Sequence, residues 1–336
     1  MFQIKNNANA FSKKTGQILT LLVILAGIAA CQSNSSDNRP SSGYLRGAEG
    51  DSIYYEVVGS APDSIVVIHG GPGAGMHSFS PSLIPLAKHF TLIFYDQRGG
   101  GRSILPADTT RLKPHFFVED LDGVRRHFNL NQMKVIAHSF GAVLLAEYAQ
   151  YYPNHLGPVV LHGATGPVRS EAANYYRKKA EEATKLPPVD SSLIRQSSSL
   201  LMSLLNGTAE NPLEACKKYE EINRVISLQQ KRSVNYQGTI CKAPPEAIQY
   251  YYKYTAQLAP AYFGNWDYSA KMKKVQSPVL VVYGQQDSLG IPAQKRWADS
   301  FPKGTLITVP EAGKAAFSDN PDELIPTVVS FFKEKK

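Results

Sequence analysis

Residues 133–146 read Met-Lys-Val-Ile-Ala-His-Ser-Phe-Gly-Ala-Val-Leu-Leu-Ala, and this stretch decides the fold. It begins as a short apolar run typical of a buried parallel strand and continues, after Gly141, as an apolar stretch with helical periodicity. Ser139 lies between the two, with the small residues Ala137 and Gly141 two positions to either side. A strand-to-helix turn this tight needs small residues at both positions, and it lifts the serine hydroxyl above the sheet. The stretch therefore predicts a variant of the G-x-S-x-G turn, with Ser139 as the nucleophile.

The rest of the chain repeats the alternation of strand and helix. Further short apolar runs are found at Ser64–His69, Thr91–Tyr95, Pro158–Leu161, Pro278–Tyr283 and Thr305–Val309. Helix-like stretches lie between most of them, at Phe117–Phe128, Ala142–Tyr152, Pro292–Phe301 and Pro321–Phe332. Strands that alternate with helices indicate βαβ units and a mostly parallel, doubly wound sheet. We therefore expect an α/β core formed by residues 44–166 and 266–336, which opens with a β-hairpin.

Residues 167–265 interrupt this alternation. The segment holds almost no β-type run, is rich in Lys, Glu, Ala, Leu and Tyr, and is broken by proline pairs that begin at Pro187 and Pro244. We interpret it as a helical cap inserted between two strands of the sheet. Because open α/β sheets bind ligands at the carboxyl ends of their strands, a cap over that edge would shape a substrate cavity.

A second loop, residues 69–73, reads His-Gly-Gly-Pro-Gly and follows another predicted buried strand. Glycines at such a place let the backbone approach a ligand and expose its N–H groups. We assign the N–H groups of Gly71 and Phe140 as the oxyanion hole, the site that stabilises negative charge on a reacting carbonyl oxygen. His69 is expected to order this loop.

Several motifs together resemble one family. Besides residues 69–73 they are Asp96-Gln-Arg-Gly99 with Ser103, the helix start Val118-Glu-Asp-Leu121, and Asn265-Trp-Asp267 before the strand at Pro278. In these features the chain resembles the prolyl aminopeptidase (proline iminopeptidase) family over roughly residues 44–333. The resemblance implies an α/β-hydrolase fold and a Ser/Asp/His triad that removes an N-terminal residue, typically proline, from short peptides. The turn at Ser139 departs from the family's glycine-tryptophan version.

The acid and the base of the triad come from the end of the chain. In the order Ser, acid, His, the acid follows the strand at Pro278–Tyr283, so Asp287 takes that role. The family places its histidine in a Gly-His step after the last strand, and the matching residue here is Lys314. All eight histidines lie at or before His162, so none follows it. The predicted catalytic residues are Ser139, Asp287 and, at the histidine position, Lys314.

A lysine at position 314 is expected to impair catalysis. The reference pKa of lysine is about 10.4, and a neighbouring carboxylate favours the charged form. We expect Lys314 to be an ammonium paired with Asp287 and unable to accept the serine proton. Loss of the histidine from such a triad lowers kcat by up to ~10⁶. The alternatives are Ser-Lys catalysis, His162 as a replacement base, and an introduced substitution at position 314 of a competent peptidase.

Two further residues are candidates for substrate binding. The stretch Cys216-Lys-Lys-Tyr-Glu220 resembles the family's cap motif, in which a glutamate holds the substrate's free amine, so Glu220 is assigned to that role. A solvated helix-face glutamate is the alternative. His162, just past a strand end, is interpreted as a residue of the cavity wall. The rival function is that of a non-catalytic protein that binds a peptide or small ester in the cap cavity.

The first residues of the chain resemble an export signal. Lys13 and Lys14 precede an apolar run, Ile18–Ala30, that is shorter than the about 20 residues of a membrane-spanning helix. The sequence Ile-Ala-Ala-Cys31 resembles the lipobox of bacterial lipoproteins. We predict a lipoprotein signal peptide at 1–30, lipidation of Cys31, a tether at 31–43, and attachment to a membrane of the cell envelope. A plain secretory signal is the alternative.

Composition limits the partners and cofactors. The formal net charge is +8, but no run of Lys or Arg could follow a phosphate backbone, so nucleic acid is excluded as an expected partner. The expected partners are a short peptide or small-molecule substrate and the membrane. No cofactor or metal is expected, because no cluster of His, Cys and Asp has ligand spacing. In an oxidising compartment Cys216 and Cys241 form either a disulfide or two unpaired buried thiols.

Overall fold

The computed structural model describes residues 41–334, so the predicted signal peptide (1–30), Cys31 and most of the predicted tether (31–43) lie outside the described residues. Within them, one sheet holds β1 (Ser42–Arg46), β2 (Ser52–Val58), β3 (Ser64–Ile68), β4 (Thr91–Tyr95), β5 (Met133–His138), β6 (Leu156–His162), β7 (Val279–Gly284) and β8 (Gly304–Val309). The strand order is β1-β2-β4-β3-β5-β6-β7-β8. β1 and β2 form the expected hairpin, β2 is also antiparallel to β4, and all other neighbours are parallel. The predicted fold class, a mostly parallel α/β sheet, is confirmed.

Helices follow most of the parallel strands and fill the segment between β6 and β7. The α-helices of the core are Pro114–His127, Gly141–Tyr151, Ile291–Ser300, Ala316–Asp319 and Pro321–Glu334. Those between β6 and β7 are Arg169–Ala183, Ser191–Asn206, Pro212–Gln229, Pro245–Tyr250 and Ala256–Phe263, with a π-helical turn at Tyr251–Thr255. Short 3-10 helices lie at Ala48–Gly50, Met76–Ser78, Ser80–Lys88, Thr109–Leu112, Pro153–His155 and Lys271–Lys274. None of the helices described in residues 41–334 has the length and apolar character needed to cross a membrane.

The central strands are buried on both faces. Residues Ile65–Ile68 of β3 are at most 2% exposed. Because successive side chains of a strand point to opposite faces, this burial means that both faces of the sheet are covered. Val66 joins an apolar cluster with the helix Gly141–Tyr151, whereas Val67 joins a second cluster with the helix Pro321–Glu334. Two-sided burial explains why continuous apolar runs, and not alternating ones, indicated these strands.

The segment between β6 and β7 has a small apolar core of its own. A disulfide joins Cys216 and Cys241, with a Cα–Cα distance of 5.7 Å. Both cysteines are buried in a cluster with Leu204, Ile248 and Tyr252. The alternative of two unpaired thiols is therefore wrong, and the crosslink fixes the loop before Pro245 against the helix Pro212–Gln229.

This segment is tied to the core at its ends and near its middle. Val168 and Asp267, just outside the first and last of its helices, form an antiparallel bridge. The buried Thr255 hydroxyl donates a 2.7 Å hydrogen bond to the carbonyl of Gly99, in the loop after β4. Gly99 has a φ of 77°, and a Cβ there would lie 2.4 Å from the Thr255 hydroxyl oxygen. Only glycine fits at this contact between cap and core.

Candidate active site

Ser139 occupies a strained backbone conformation between β5 and the helix Gly141–Tyr151. Its φ is 52°, in the left-handed region that non-glycine residues rarely adopt. Two backbone hydrogen bonds hold the turn: Ser139 N–H donates to the His162 carbonyl over 3.2 Å, and Thr165 N–H donates to the Ser139 carbonyl over 3.0 Å. Strain of this kind persists where surrounding structure enforces it, and it is concentrated at functional sites.

Small residues make the turn possible. A Cβ on Gly141 would lie 2.5 Å from the Ile68 carbonyl oxygen, and one on Gly70 would lie 2.7 Å from the Ser139 Cβ. Ala137, at the other small position, is fully buried. The turn therefore lies directly against the end of β3, as the steric argument from the sequence requires.

The loop of residues 69–73 lies next to Ser139 and is ordered by Gln97. Gln97 N–H donates to His69 Nε2 over 3.1 Å, and the Gln97 amide nitrogen donates to the His69 carbonyl over 2.8 Å. Gly73 N–H donates to the Gln97 amide oxygen. Burial lowers the pKa of His69 to about 4, so the ring is neutral and can accept a hydrogen bond at neutral pH. His69 thus has the ordering role that the sequence suggested.

Two backbone N–H groups at the turn are free to receive a ligand. Gly71 has a φ of 44°, and Phe140 precedes the first residue of the helix Gly141–Tyr151. Within residues 41–334, neither N–H donates a hydrogen bond to a protein acceptor. Two free donors beside a raised serine hydroxyl form the arrangement that stabilises an oxyanion during acyl transfer.

His162 does not lie in a cavity wall. Its side chain is 1% exposed, stacks on Phe79 and packs at a tilt against Phe317. Its Nδ1 lies 3.0 Å from Nδ1 of His138, and its Nε2 accepts a 3.4 Å hydrogen bond from Phe317 N–H. The assignment of His162 to substrate binding is wrong, because the β6 register turns the ring into the core below Ser139.

Burial also determines the protonation of these two rings. It lowers the pKa of His162 to about 3, with the Lys314 charge as a secondary cause. Burial, His162 and Lys314 together hold the pKa of His138 well below its ordinary value. In the shared Nδ1 contact one ring donates and the other accepts. Both rings are engaged in this contact, and within residues 41–334 neither forms a hydrogen bond with the Ser139 hydroxyl.

Asp287 follows β7 and is buried, and two of its three partners come from the first cap helix. One carboxylate oxygen accepts hydrogen bonds from the hydroxyls of Tyr175, over 2.6 Å, and Tyr283, over 2.7 Å. The other oxygen lies 3.4 Å from Lys179 Nζ. Among the described ion pairs, none joins Asp287 to Lys314. The expected pairing of Lys314 with Asp287 is therefore wrong.

Lys314 turns instead toward a tyrosine of the first cap helix. Its Nζ donates a 3.3 Å hydrogen bond to the Tyr176 hydroxyl and lies 5.4 Å from the centre of the Tyr176 ring. A Cβ on Gly163 would lie 3.2 Å from Lys314 Cγ, which places the lysine beside the end of β6. Sequence reasoning missed Tyr176, since a tyrosine in an amphipathic cap helix carries no motif that points to the site.

Tyr176, Thr165 and Lys314 line one narrow cavity, together with Gln294. The Gln294 amide nitrogen donates a 2.7 Å hydrogen bond to the Ala164 carbonyl, whereas its buried amide oxygen has no partner. The cavity lies between the cap helix Arg169–Ala183 and the loops that follow β6, β7 and β8. These loops form the carboxyl edge of the sheet, where the sequence predicted the site.

Glu220 lies in a different cavity. One of its carboxylate oxygens accepts a 2.7 Å hydrogen bond from the Thr239 hydroxyl, and the other accepts from Ile240 N–H over 3.1 Å. It lines an open groove of about 670 Å³ in the cap, whose lining does not include Ser139. The Cys216 and Cys241 sulfur atoms lie within 4.8 Å of this carboxylate, but a disulfide offers no thiolate to a metal.

The family motif at residues 96–103 supports the loops around the site. The buried Arg98 guanidinium forms two hydrogen bonds with the buried Asp120 carboxylate, of 2.6 and 2.8 Å. Asp96 accepts hydrogen bonds from the N–H groups of Met76 and Arg102. Burial raises the pKa of Asp96 to about 6, against the effect of these hydrogen bonds. The motif thus orders the backbone on which residues 69–73 rest.

A sheet in this strand order, with a serine on a positive-φ turn after β5 and free N–H groups beside it, defines the class of α/β hydrolases. The chain belongs to the family described as the alpha/beta hydrolase fold, which it matches over residues 63–321. The predicted family assignment is confirmed at this level.

The chain is also similar to proline iminopeptidases. It is 25% identical over 273 residues to the proline iminopeptidase of Heyndrickxia coagulans, covering 80% of this chain and 89% of that protein. It is 29% identical over 298 residues to that of Neisseria meningitidis serogroup A, covering 82% and 91%. These relatives support the predicted likeness to prolyl aminopeptidases.

Solved structures show the same fold. The proline iminopeptidase of Mycobacterium smegmatis aligns with a TM-score of 0.59 at 20% identity, over 88% of this chain and 98% of that one. A meta-cleavage product hydrolase of Pseudomonas fluorescens aligns with a TM-score of 0.61 at 17% identity, over 88% and 98%.

Proposed function

We propose that the protein is a serine hydrolase of the prolyl-aminopeptidase type, that its turnover is impaired because Lys314 stands at the histidine position, and that lipidated Cys31 anchors it to the cell envelope. The observation that carries the hydrolase proposal is the turn at Ser139. A φ of 52° on a serine, with the free N–H groups of Gly71 and Phe140 beside it, has the geometry of an acyl-transfer site.

In this proposal Ser139 Oγ attacks the carbonyl carbon of the substrate, and the two N–H groups hold the oxyanion. Asp287 lies at the position of the triad's acid, but Tyr175, Tyr283 and Lys179 occupy it. The imidazole that would link it to the serine is replaced by an amine turned toward another residue. Turnover is therefore expected to be low, since the histidine supplies most of the rate of such a triad.

The substrate class in this proposal is a short peptide with a free N-terminal residue, typically proline, as the names of the relatives suggest. Because cap hydrogen bonds occupy the Glu220 carboxylate, it binds the substrate amine only if Thr239 or Ile240 gives up its contact. The envelope location rests on residues 1–43 of the sequence. A disulfide in the cap is compatible with an oxidising compartment.

The test of the hydrolase proposal is covalent labelling. Purified protein is treated with a fluorophosphonate probe and assayed on a proline arylamide, alongside Ser139→Ala and Lys314→His. Slow labelling at Ser139, its absence in Ser139→Ala and an increase of about 10²-fold or more in Lys314→His are expected. No labelling in either the parent or Lys314→His would contradict the hydrolase proposal. Turnover by the parent at ordinary rates would contradict the impairment.

The anchor is tested in cells. Full-length protein should fractionate with membranes and incorporate a radiolabelled fatty acid, whereas Cys31→Ser should do neither. Cys216→Ser is the matched control, because it removes a cysteine without touching the proposed lipidation site. Equal membrane retention of Cys31→Ser and the parent would contradict the anchor.

A second candidate function is peptide binding without catalysis. The observation that favours it is the open groove of about 670 Å³ in the cap, which is separate from Ser139 and lined by charged and aromatic side chains. Calorimetry with proline-containing dipeptides distinguishes the two functions. Binding by Ser139→Ala, without labelling of the parent, is the result expected for a binding protein.

A further inference from the structure

A small cluster of side chains lies between the nucleophile and the position of the missing histidine. Tyr176, in the cap helix Arg169–Ala183, accepts a 3.3 Å hydrogen bond from Lys314 Nζ. Tyr176 and Thr165 line the same narrow cavity, and Thr165 N–H donates a 3.0 Å hydrogen bond to the Ser139 carbonyl, so the phenol lies near the nucleophile. A phenol oxygen that is bonded to an ammonium and lies near the serine is the group best placed to receive the serine proton.

Among the charged groups near the Tyr176 hydroxyl, Lys314 has the largest effect on ionisation of the phenol. Asp287 and Lys179 lie beyond Tyr175 and are paired with each other, so their opposite charges offset one another there. His138 and His162 lie below Lys314 and are neutral, because burial and the Lys314 charge depress their pKa. Of the charged groups described around this phenol, the ammonium is therefore the one that acts directly on it.

This arrangement favours the phenolate. Tyr176 is 51% exposed, but its hydroxyl is bonded to Lys314 Nζ and it lines a narrow cavity with Thr165. Loss of water around the hydroxyl raises the pKa of Tyr176, whereas the Lys314 charge and its hydrogen bond lower it, and the net effect is a pKa below the ordinary value for tyrosine. An anion beside a fixed ammonium is a competent general base, and its efficiency increases as its pKa approaches the working pH.

We propose that Tyr176 is the base that activates Ser139 and that Lys314 is the positioning residue that holds the phenol and stabilises its anion. This assignment rests on the proposed hydrolase function. It replaces the imidazole of the triad by a phenolate, and Lys314 takes no part in the proton transfer.

The proton balance closes without any further group. As Ser139 Oγ forms its bond to the carbonyl carbon, the Tyr176 phenolate takes the hydroxyl proton, and the N–H groups of Gly71 and Phe140 hold the oxyanion. Collapse breaks the carbon–nitrogen bond, and Tyr176 gives its proton to the departing amine. A water molecule then attacks the acyl ester and loses its proton to Tyr176. When the acid is released, Tyr176 returns that proton to Ser139.

The experiment measures the rate of fluorophosphonate labelling of Ser139 between pH 6 and pH 11 in the full-length protein. Tyr176→Phe is compared with the parent and with Tyr151→Phe, an exposed tyrosine on another helix. We expect the parent rate to increase with the fraction of phenolate. We expect Tyr176→Phe to lower it at least 10²-fold, the typical contribution of a general base, and Tyr151→Phe to leave it unchanged. Thermal unfolding of each variant checks that the fold is intact.

Two lysine variants test the positioning role. Lys314→Arg keeps the charge and should keep the rising limb of the pH profile close to that of the parent. Lys314→Met removes the charge and should move that limb to higher pH. Ultraviolet titration of tyrosinate provides a readout independent of activity. Tyr176→Phe should lose the tyrosine that ionises at lowest pH, and Lys314→Met should shift it upward.

The outcomes separate this inference from the proposed function. Labelling of the parent that is unaffected by Tyr176→Phe overturns the assignment of Tyr176 and leaves the hydrolase proposal standing. Identical pH profiles for Lys314→Met and Lys314→Arg overturn the role of Lys314. No labelling of the parent at any pH, with none in Lys314→His, contradicts the hydrolase function itself.

Discussion

The two halves of the candidate site are fixed by different parts of the chain. On the nucleophile side, backbone contacts hold the turn: Ser139 lies against β3, and its N–H and carbonyl are bonded to the loop after β6. On the base side, side chains decide the arrangement, since Tyr175 and Lys179 hold Asp287 while Tyr176 takes Lys314. A single substitution can therefore change the base side while the nucleophile side keeps its geometry.

The largest loss of stability is expected when the buried Arg98–Asp120 ion pair, which supports the loops on the nucleophile side, is broken. Arg98→Met leaves Asp120 buried without its partner, and breaking a buried pair in this way costs about 3–5 kcal/mol of unfolding free energy. Arg102→Met is the matched control, because its pair with Glu56 is partly exposed and is worth about 1 kcal/mol or less. Urea unfolding of both variants gives the comparison. Equal losses would contradict it.

The next effect is the pH dependence of stability. His69 has a pKa of about 4 in the folded protein and His162 about 3, against 6.5 for an ordinary histidine. Between pH 6.5 and its folded pKa, each ring is protonated in the unfolded chain but neutral in the folded chain. Each ring therefore lowers the free energy of unfolding by about 1.4 kcal/mol per pH unit as the pH falls through this range. Asp96 opposes this: with a folded pKa of about 6, it adds stability as the pH falls from 6 toward 4.

His162→Gln isolates one of these contributions, since the glutamine amide oxygen can accept the Phe317 N–H in place of Nε2. Its unfolding free energy should fall less steeply between pH 6.5 and pH 4 than that of the parent, when both are measured by urea titration at several pH values. Parallel curves for the two proteins would sink this prediction.

A pair of glycine variants compares the two sides directly. A Cβ on Gly141 would lie 2.5 Å from the Ile68 carbonyl oxygen, and one on Gly284 would lie 2.1 Å from the Ala312 carbonyl oxygen. Each alanine variant should lose about 1–3 kcal/mol through crowding. Gly141→Ala should also lower labelling of Ser139 about 10²-fold, because it displaces the nucleophile. Gly284→Ala should change the labelling rate less than tenfold. A larger loss of labelling in Gly284→Ala than in Gly141→Ala would contradict the distinction between the nucleophile side and the base side.

The smallest effect concerns strain. The left-handed conformation of Ser139 costs an L-residue roughly 1–2 kcal/mol, which glycine avoids, although glycine gives back roughly 0.5–1 kcal/mol through its freer unfolded state. Ser139→Gly should therefore be more stable than Ser139→Ala by about 0.5–1 kcal/mol in thermal unfolding. Equal stability would mean that the turn carries no strain.

The sequence predicted what depends on neighbouring residues along the chain. Ser139, Ala137 and Gly141 predicted the turn because its sterics involve only a few consecutive positions. The strand β3 was predicted because a strand buried on both faces leaves an uninterrupted apolar run. The mostly parallel sheet was predicted from the alternation of strands and helices, and the family resemblance implied the α/β-hydrolase fold.

The remainder required contacts between distant parts of the chain. Tyr175 and Asp287, which share a hydrogen bond, are 112 residues apart. Lys314 and Tyr176, which also share a hydrogen bond, are 138 residues apart. No local sequence pattern could therefore show that Lys314 contacts Tyr176 and not Asp287. His162 is the last residue of β6, one position beyond the predicted strand end at Leu161, and the packing of its ring against Phe79 and Phe317 depends on tertiary contacts.

The bridge between Val168 and Asp267 makes the cap a closed insertion, which leaves and rejoins the sheet at one place. Its helices can be shortened, exchanged or rebuilt while β6 and β7 stay side by side. Substrate preference can then diverge by changes in the later cap helices, and grafting a relative's segment that keeps the helix Arg169–Ala183, with its contacts to Asp287 and Lys314, is a direct route to new specificity.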